Sequence, residues 1–479
     1  MTTRPRLSRK HPAPRAGIVH LGLGAFFRSH GALVIEDAIR AAVGDWGITG
    51  ASLRSPGIRD RLAAQDFAYT AVEMGPEGER TRIVEVLRDV IFAAEGSNAL
   101  VTRMAEPLTR IVSLTVTEKG YCHVPSTGAL DSDHLDIRHD IANAQPRSAV
   151  GYIVRALQKR HQRGLRPFTV LSCDNLPDNG RVTRSVVTGL AARIDPSLAA
   201  WIDSEARFPS TMVDRIVPAT TEANIARLAD ATGYLDQAPA FHEPFLQWVI
   251  EDSFVDGLRP AFEQIAGVQM VRDVAPFEHM KIRMLNGTHS TLAYLGYLAG
   301  HETIAETVAD PGFRAFIEKV WKTEIIPTLR PPEGVDLQRY ADDLLQRYSN
   351  PAIHHRTWQI AMDGSQKLPQ RILGTISDNR ASGKPSDGLC LAVAGWMRYV
   401  GGKDESGEPI DVRDPLSDRL RDLSDKADSP GGKVSALLSV REVFGNGVDP
   451  ATADTITQAY EHLTERGAAA CVQSLATDR

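Results

Sequence analysis

Cysteine is scarce in this chain, which has four cysteines among 479 residues. Cys122, Cys173, Cys390 and Cys471 lie far apart and form no C-x-x-C pair. A disulfide framework is therefore disfavoured and a reducing compartment is favoured. The chain also has no apolar run of about 20 residues that could span a membrane, and its basic N-terminus is not followed by a signal-like apolar segment. We expect a soluble, cytoplasmic protein.

An excess of basic charge is also absent. The chain has 54 lysines and arginines against 60 aspartates and glutamates, a formal net charge of −6, and no dense basic block. Nucleic acids and anionic membranes are therefore disfavoured as partners, and small molecules are the expected ligands. Hydrophobic residues at 42% and charged residues at 24% are typical of an ordinary folded protein. The oligomeric state is not predicted.

The two parts of the chain differ in pattern. In the first part, short apolar segments such as GIVHL and WGITGASLRS alternate with amphipathic helical segments. This alternation predicts an α/β fold with a Rossmann-type, doubly wound parallel sheet. In the second part helical spacing dominates. We predict a dinucleotide-binding domain at residues 1–270, with residues 1–16 as a loose arm, and a mainly α-helical substrate and catalytic domain at residues 271–479.

A glycine turn follows the first predicted strand. Gly22 and Gly24 stand where the strand passes into a helix, the position at which a glycine-rich turn lets the backbone approach a pyrophosphate. The G-x-G-x-x-G pattern is incomplete because Phe27 replaces the third glycine. No acidic residue ends the second strand, where Arg54 stands, with Arg59 following. The residues alone therefore leave NAD, NADP and a purely structural turn open.

Polar residues share one side of a predicted helix in PFEHMKIRMLNGTHS. With Lys281 at zero and about 100° per residue, Glu278 falls at roughly 60°, His289 at roughly 80° and Asn286 at roughly 140°. A buried lysine with a lowered pKa can exchange a proton with a sugar hydroxyl, as hydride transfer requires. Asn286 could bind the alkoxide-like oxygen, His289 a neighbouring hydroxyl, and Glu278 could relay the proton to water. The alternative is an exposed Glu278–Lys281 pair on an ordinary helix.

KIRMLNGTHS resembles the K-x-x-x-x-N-x-x-H signature of the polyol-specific long-chain dehydrogenases, the mannitol dehydrogenase family. IVHLGLGAFFRSH is similar to the G-x-G-x-F-x-R cofactor turn of that family, and TVTEKGY, SCDNLPDNG and STMVDRIVP are similar to other family blocks. The resemblance runs from about residue 17 to beyond residue 415. It implies a Rossmann-type domain followed by a helical domain. It also implies a metal-independent dehydrogenase that acts on CH–OH groups with NAD, although NADP is not excluded.

The resemblance also implies roles for individual residues. Lys281 would be the general acid and base, while Asn286 and Asn175 would orient and polarise the reacting oxygen. His289 would bind substrate hydroxyls. The implied cofactor-binding set is Gly22, Gly24, Phe26, Arg28 and Asp214.

Within the family, HHRTWQIAMDGSQKLPQRIL and LAVAGWMRYVGG are similar to the fructuronate reductases. A hexuronate differs from a hexitol by a carboxylate, which needs a cationic partner in a buried site. Arg356, Lys367 and Arg371 are the candidates, whereas His354 and His355 are expected to be surface or supporting histidines. We therefore expect reduction of D-fructuronate to D-mannonate, with oxidation of D-mannitol to D-fructose as the alternative.

Other classes fit the sequence less well. A Tyr-x-x-x-Lys pair of the short-chain dehydrogenase type occurs only at Tyr399, where two following glycines argue against a helix. Zinc-ligand spacing is not seen. A nucleotide-binding regulator that had lost the chemistry would be expected to lack one of the four implied catalytic positions 175, 281, 286 and 289, and all four match.

Overall fold

The structure is a computed structural model that describes residues 4–95 and 97–477. The chain divides into two compact units, Met1–Ala275 and Pro276–Arg479. We expected the division five residues earlier, after residue 270. The first unit combines strands and helices, and the second is helical. No helix in the described ranges is both long enough and apolar enough to cross a membrane.

The strands of the first unit form a parallel sheet of five strands and two sheets of three strands. The five-stranded sheet has the order β5-β2-β1-β6-β7, and its neighbouring strands are all parallel. The strand order therefore reverses beside β1, which is where a doubly wound sheet opens a crevice for a ligand. The strands are β1 Ala16–Leu21, β2 Gly47–Ser52, β3 Tyr69–Gly75, β4 Gly78–Val84, β5 Leu87–Phe92, β6 Ile111–Leu114, β7 Thr169–Ser172, β8 Thr211–Asp214, β9 Ala240–His242, β10 Gln247–Glu251 and β11 Val268–Val271.

Helices cover the five-stranded sheet on both faces. Successive side chains of a strand point to opposite faces, so Val19 and Leu21 of β1 belong to one hydrophobic core, and Ile18 belongs to the other. A strand that is buried on both faces reads as a continuous apolar run, and the Rossmann-type prediction is confirmed. The helices are α1 Ala25–Ser29, α2 Gly31–Ala41, α3 Gly57–Ala63, α4 Ser97–Met104, α5 Leu135–Ala142, α6 Ala149–Gln162, α7 Asn179–Ile194, α8 Pro196–Glu205 and α9 Glu222–Thr232, with 3₁₀ turns at Glu118–Tyr121, Val255–Gly257 and Phe262–Gln264.

The N-terminal segment is bound to the first unit. Leu7 is buried, and its amide donates to the carbonyl of Leu235 at 2.9 Å. The guanidinium of Arg9 donates to the carbonyls of Glu85 and Leu87. The expectation of a loose arm is therefore wrong for residues 4–10, because an apolar side chain and several hydrogen bonds fix them. Residues 1–3 lie outside the described residues.

The second unit is mainly helical, as predicted. Helix α18 is buried along most of its length and packs against α11 and α22. No strand longer than an isolated bridge occurs in the described part of this unit. Its α-helices are α10 Ala275–Met280, α11 Thr288–Leu298, α12 Ile304–Ala309, α13 Pro311–Val320, α14 Leu337–Tyr348, α15 Thr357–Ala361, α16 Gly364–Leu368, α17 Gly374–Ala381, α18 Asp387–Val400, α19 Ser417–Asp425, α20 Pro430–Leu438, α21 Arg441–Phe444 and α22 Pro450–Thr477, with 3₁₀ turns at Ile326–Thr328 and Pro351–Ile353.

Three segments of the second unit are π-helical. They are Lys281–Gly287, Trp321–Ile325 and Pro369–Leu373, and the first of them contacts the other two. At Gly287 a side chain is excluded, because a Cβ would lie 2.6 Å from the carbonyl oxygen of Arg371. The predicted regular α-helix through Lys281 is therefore wrong, since a wider turn is inserted between α10 and α11. Such turns are rare and are frequent at functional sites.

Two side chains from outside the first π segment each donate a hydrogen bond to one of its carbonyl groups. The indole nitrogen of Trp321 donates to the carbonyl of Met284 at 3.0 Å. The hydroxyl of Tyr348 donates to the carbonyl of Leu285 at 2.8 Å. Carbonyls that are bound from outside a helix no longer depend on the usual α-helical partner, which is one physical cause of a helical irregularity.

We predict that Asp236→Ala destabilises the first unit. Asp236 is buried, and its carboxylate accepts from Gln65 Nε2 at 2.7 Å, from the Ala238 amide at 2.7 Å and from the Thr70 amide at 2.5 Å. Its removal leaves the buried amides of Thr70 and Ala238 without a partner and leaves Gln65 Nε2 with only the carbonyl of Ala68, so the free energy of unfolding should fall by about 3 kcal/mol in a denaturant titration. The control is Asp230→Ala, which removes only an exposed ion pair with Arg4. An equal loss in both variants would contradict the prediction.

Candidate active site

A cavity of about 600 Å³ lies in the first unit at the carboxyl ends of β1, β2 and β6. Residues 22–24, 52–55 and 115–117, which end or follow these strands, form much of its lining. This is the crevice beside the point of strand-order reversal, where doubly wound sheets bind dinucleotides. The cavity is thus placed by the topology of the sheet and shaped by the loops that leave it.

The two glycines of the turn do different things. Gly22 has φ +89°, and a Cβ there would lie 2.1 Å from the carbonyl oxygen of Thr115, so no side chain fits. Gly24 has φ −86° and precedes helix α1, and the nearest atom to its Cβ would be 3.8 Å away. Gly22 is therefore required for the close packing of the turn on the β6 loop. Gly24 keeps the backbone open toward the cavity, which fits a dinucleotide pyrophosphate.

The end of β2 carries no carboxylate in the cavity lining. Arg54 and Ser55 line the cavity there, and Arg54 is exposed. Arg59 instead forms ion pairs with Asp60 and Glu95. Of the two arginines that follow β2, Arg54 and not Arg59 therefore lines the crevice.

Phe26 and Arg28 do not line this cavity. The Phe26 ring stacks on His30, with 5.1 Å between the ring centroids. Arg28 is buried, lies over the ring of Tyr69 and donates to the carbonyl of Ala238 at 2.5 Å, and burial lowers the pKa of its guanidinium. Arg28 thus ties helix α1 to the segment before β9. The proposed contacts of both residues with the cofactor stay predictions.

A half-buried carboxylate that sequence reasoning missed holds the loop after β6. Asp174 Oδ1 accepts from the amide of Thr117 at 2.9 Å, and Oδ2 accepts from the amide of Val116 at 2.9 Å and from the hydroxyl of Tyr121 at 2.7 Å. Thr117 has φ +63°, a conformation that needs such support. Burial raises the pKa of Asp174. The carboxylate therefore fixes the loop that lines the cavity, and its neighbour Asn175 is exposed.

In the second unit, the polar residues that we predicted to share one side of a helix are largely buried. Glu278 and His289 are each 8% exposed, and Lys281 is 6% exposed, which contradicts the alternative of an exposed Glu278–Lys281 pair. The π segment also changes their directions. With roughly 4.4 residues per π turn, Asn286 lies about 50° from Lys281 and His289 about 30° from it. The widened turn therefore brings the three side chains closer to one direction than a regular α-helix would.

His289 lies in a group of rings. It stacks on Tyr348 at a centroid distance of 5.2 Å and meets His355 edge-on at 4.6 Å. Burial is the largest cause that lowers the pKa of His289 well below its usual value, and burial also lowers the pKa of His355 to about 4. Both imidazoles are therefore neutral at pH 7. The expectation of a surface or supporting role fits both neighbours, because His354 is exposed and the ring of His355 packs against His289.

Two of the three predicted cations lie near this group. Lys367 donates to the carbonyls of Ile360 and Met362, and burial, followed by the charge of Arg371, lowers its pKa to about 8. Arg371 donates to Ser290 Oγ at 3.0 Å, and burial lowers its pKa as well. Within the described residues, neither cation forms an ion pair with a carboxylate.

The remaining predicted residues are placed differently. Arg356 is exposed and precedes α15, whereas Lys367 and Arg371 are half-buried. Asp214 is buried at the end of β8 in the first unit. Among the described residues no three potential metal ligands lie together. Metal independence remains a prediction.

We predict that Gly22→Ala and Gly24→Ala separate folding from cofactor binding. Gly22→Ala forces a clash and a strained φ, so its melting temperature should fall steeply, with a loss of about 2 kcal/mol or more. Gly24→Ala should keep the melting temperature but weaken binding of reduced dinucleotide by about tenfold, a loss of about 1.4 kcal/mol. Thermal denaturation and nicotinamide fluorescence measure the two effects. Undiminished dinucleotide binding by Gly24→Ala would contradict the placement of the pyrophosphate.

Comparisons with known proteins agree with these two units. The family model "Mannitol dehydrogenase Rossmann domain" matches residues 16–264, and "Mannitol dehydrogenase C-terminal domain" matches residues 273–464. The chain is 48% identical over 469 residues to an uncharacterized oxidoreductase, YeiQ, of Escherichia coli K12, covering 97% of this chain and 95% of the relative. It is 46% identical over 478 residues to D-mannonate oxidoreductase of the same organism, covering 98% of each chain.

A solved structure is also similar. It is the Pseudomonas fluorescens mannitol 2-dehydrogenase in a ternary complex with NAD and D-mannitol, which matches with a TM-score of 0.86 and 37% identity. The match covers 97% of this chain and 95% of that one. The two family models together span most of the chain, and the relatives match along nearly their whole length. The chain therefore belongs to the mannitol dehydrogenase family.

Proposed function

We propose that this protein is an NAD-dependent oxidoreductase that converts D-fructuronate and NADH to D-mannonate and NAD. The observation that carries the proposal is the pair of half-buried cations Lys367 and Arg371 near His289, neither of which forms an ion pair with a carboxylate among the described residues. A buried charge is costly unless it is paired. The carboxylate of a sugar acid would supply the missing partner, whereas a neutral polyol would not. The 46% identity to a D-mannonate oxidoreductase supports the same substrate.

The dinucleotide would be held by the first unit. The open backbone at Gly24 and the helix that follows it fit a pyrophosphate, and the loop held by Asp174 would form the opposite wall. When bound, the nicotinamide ring supplies or accepts the hydride. NAD is preferred because the solved mannitol 2-dehydrogenase binds NAD. Arg54 and Ser55 leave room for use of NADP, since no carboxylate ends β2 to repel a 2′-phosphate.

Proton transfer would be carried out by Lys281. During reduction, its ammonium group gives a proton to the C2 oxygen of the ketose, and it takes the proton back in the oxidative direction. Asn286 and, from the first unit, Asn175 would orient and polarise that oxygen through their amide groups. His289 would hold a neighbouring hydroxyl. Glu278, one turn before the lysine, would exchange the proton with water, and the reaction would need no metal ion.

A second candidate is oxidation of D-mannitol to D-fructose, because the solved relative at 37% identity was crystallised with D-mannitol. The two candidates differ in the charge of the substrate. A nucleotide-binding regulator is the non-enzyme alternative, and the retention of all four implied catalytic side chains argues against it. The small-molecule ligand class and the cytoplasmic location remain predictions.

The test of the proposed function is a substrate panel. D-fructuronate, D-tagaturonate, D-fructose, D-mannitol and D-arabinitol are each assayed with NAD(H) and with NADP(H) by absorbance at 340 nm. We expect the highest kcat/KM for D-fructuronate with NADH. A higher kcat/KM for D-mannitol or D-fructose would favour the second candidate. Cofactor binding without turnover of any substrate would favour the regulator.

We predict that Lys281→Ala lowers kcat by about 10²–10⁴-fold, the usual contribution of a general acid or base. Affinity for the dinucleotide should stay near that of the wild type, because Lys281 is not among the residues that line the dinucleotide crevice. The matched control is Lys322→Ala, which removes an exposed lysine from another π segment of the same unit. A Lys281→Ala enzyme with nearly normal kcat would contradict the assigned role.

We predict a pH dependence of KM that is specific to acidic substrates. The pKa of Lys367 is about 8, so its ammonium is charged below pH 8 and loses the charge as the pH rises through that value. Attraction of the substrate carboxylate is then lost on the alkaline side, and the KM for D-fructuronate should rise by up to about tenfold per pH unit there. The KM for neutral D-fructose should lack this rise.

Lys367→Met is the control for that profile. It should raise the KM for D-fructuronate at pH 7 and remove the alkaline rise, while Arg371 still carries its charge. Identical pH profiles for D-fructuronate and D-fructose in the wild type would contradict the assignment of Lys367 to the carboxylate.

A further inference from the structure

The backbone around His355 is fixed on both sides. His355 follows His354, which has φ +47°, and its carbonyl accepts from the amide of Ile304 at 3.0 Å. The amide of Thr357 donates to the carbonyl of Glu302 at 3.0 Å, and the hydroxyl of Thr357 donates to the carbonyl of His301 at 3.0 Å. These bonds join the loop before α15 to the segment after α11. The backbone that carries His355 is therefore fixed, and its imidazole centroid lies 4.6 Å from that of His289.

The two imidazoles each present a buried nitrogen without a partner. Nδ1 of His355 and Nε2 of His289 make no hydrogen bond to any described residue. Buried polar groups are nearly always paired. His20, a buried histidine of the first unit, shows the ordinary arrangement, because its two nitrogens bond to Ser113 Oγ and Thr115 Oγ1, both at 2.9 Å.

The chemistry of the pair selects a hydroxyl group as its ligand. At pH 7 both rings are neutral, so each has one N–H donor and one lone-pair acceptor. A carboxylate can only accept, and its partners are the nearby cations Lys367 and Arg371. A metal ion would require a third ligand, and no group of three potential ligands occurs in the described ranges. A sugar hydroxyl both donates and accepts, so it can satisfy one ring that donates and another that accepts.

We infer that His355 is a substrate-binding residue, whose Nδ1 and the Nε2 of His289 together hold one hydroxyl, or two adjacent hydroxyls, of the open-chain sugar. The inference deepens the proposed function and rests on it, since it takes the ligand to be a polyhydroxylated sugar derivative. This hydroxyl is not the oxygen that exchanges a proton with Lys281, so its loss weakens substrate binding more than turnover. The two rings also select the configuration of the carbon that bears this hydroxyl.

The test uses His355→Phe, which keeps a ring of similar size and removes both nitrogens. The KM for D-fructuronate should rise by about tenfold or more, as expected for one lost hydrogen bond in a buried site, while kcat changes by less than about threefold. The melting temperature of the free enzyme should not fall, because an unsatisfied nitrogen is removed from its interior. A purely structural histidine would give the reverse, with an unchanged KM and a lower melting temperature, and that result would overturn the inference.

Two further variants make the test decisive. His354→Asn changes the exposed neighbour to a residue that tolerates positive φ, and its KM should equal that of the wild type. His355→Gln keeps a donor and an acceptor, so its KM should lie between those of the wild type and His355→Phe. If His355→Phe does not fold, the KM of His355→Gln decides, and a wild-type value overturns the inference.

Failure of the proposed function gives a different result. If the wild type oxidises D-mannitol and does not reduce D-fructuronate, the proposed substrate is wrong, and the same variants are compared by their KM for D-mannitol. If it turns over neither, the shift in melting temperature caused by D-mannonate with NAD is measured. A shift in the wild type that disappears in His355→Phe supports the inference. No shift with D-mannonate or with D-mannitol overturns both the inference and the proposed function.

Discussion

Two half-buried positive charges that form no ion pair with a carboxylate among the described residues impose the main constraint on the helical unit. Lys367 and Arg371 donate to carbonyl and hydroxyl oxygens, which solvate a cation but do not neutralise it. Burial lowers the pKa of Lys367, and Asp363 and Asp414 oppose this lowering only in part, without forming an ion pair with it. Withdrawing a charge from water without a paired anion costs free energy. A ligand that carries the anion therefore explains the position of these two cations better than folding does. The same cations help to keep His289 and His355 neutral. One cluster therefore offers a partner for a carboxylate beside partners for hydroxyls, which is the chemical pattern of a sugar acid.

The π-helical segments explain how one short stretch of chain can present so many polar groups. The widened turn at Lys281–Gly287 turns Asn286 and His289 toward the direction of Lys281, and Gly287 lets the backbone approach Arg371 closely. Arg371 in turn donates to the side chain of Ser290, in the helix that carries His289. The backbone irregularity, the cation and the histidine are thus parts of one packed arrangement. In the first unit, too, a side chain supports an irregular backbone. Asp174 accepts from the amide of the strained Thr117 and so fixes the loop that lines the crevice.

Much of the fold could be predicted from the sequence. The Rossmann-type sheet follows from apolar runs that are buried on both faces, and the helical second unit follows from its spacing. The π turn could not be predicted, because it depends on Trp321 and Tyr348, which are distant in sequence and bond to carbonyls of the segment. The contact of His355 with His289 could not be derived from the sequence for the same reason, since it joins separate elements. The position of Asp174 just after a strand was a weak sequence signal of its role in the crevice. No sequence signal indicated that the N-terminal segment is fixed by hydrogen bonds.

The most direct measurement is a crystal structure of the enzyme with NAD and D-mannonate. We expect the carboxylate of D-mannonate within hydrogen-bond distance of Lys367 Nζ or the guanidinium of Arg371, with at least one hydroxyl on Nε2 of His289. A carboxylate that faces solvent, or that lies against other residues while a hydroxyl occupies the cations, would contradict the view that these buried charges select a sugar acid.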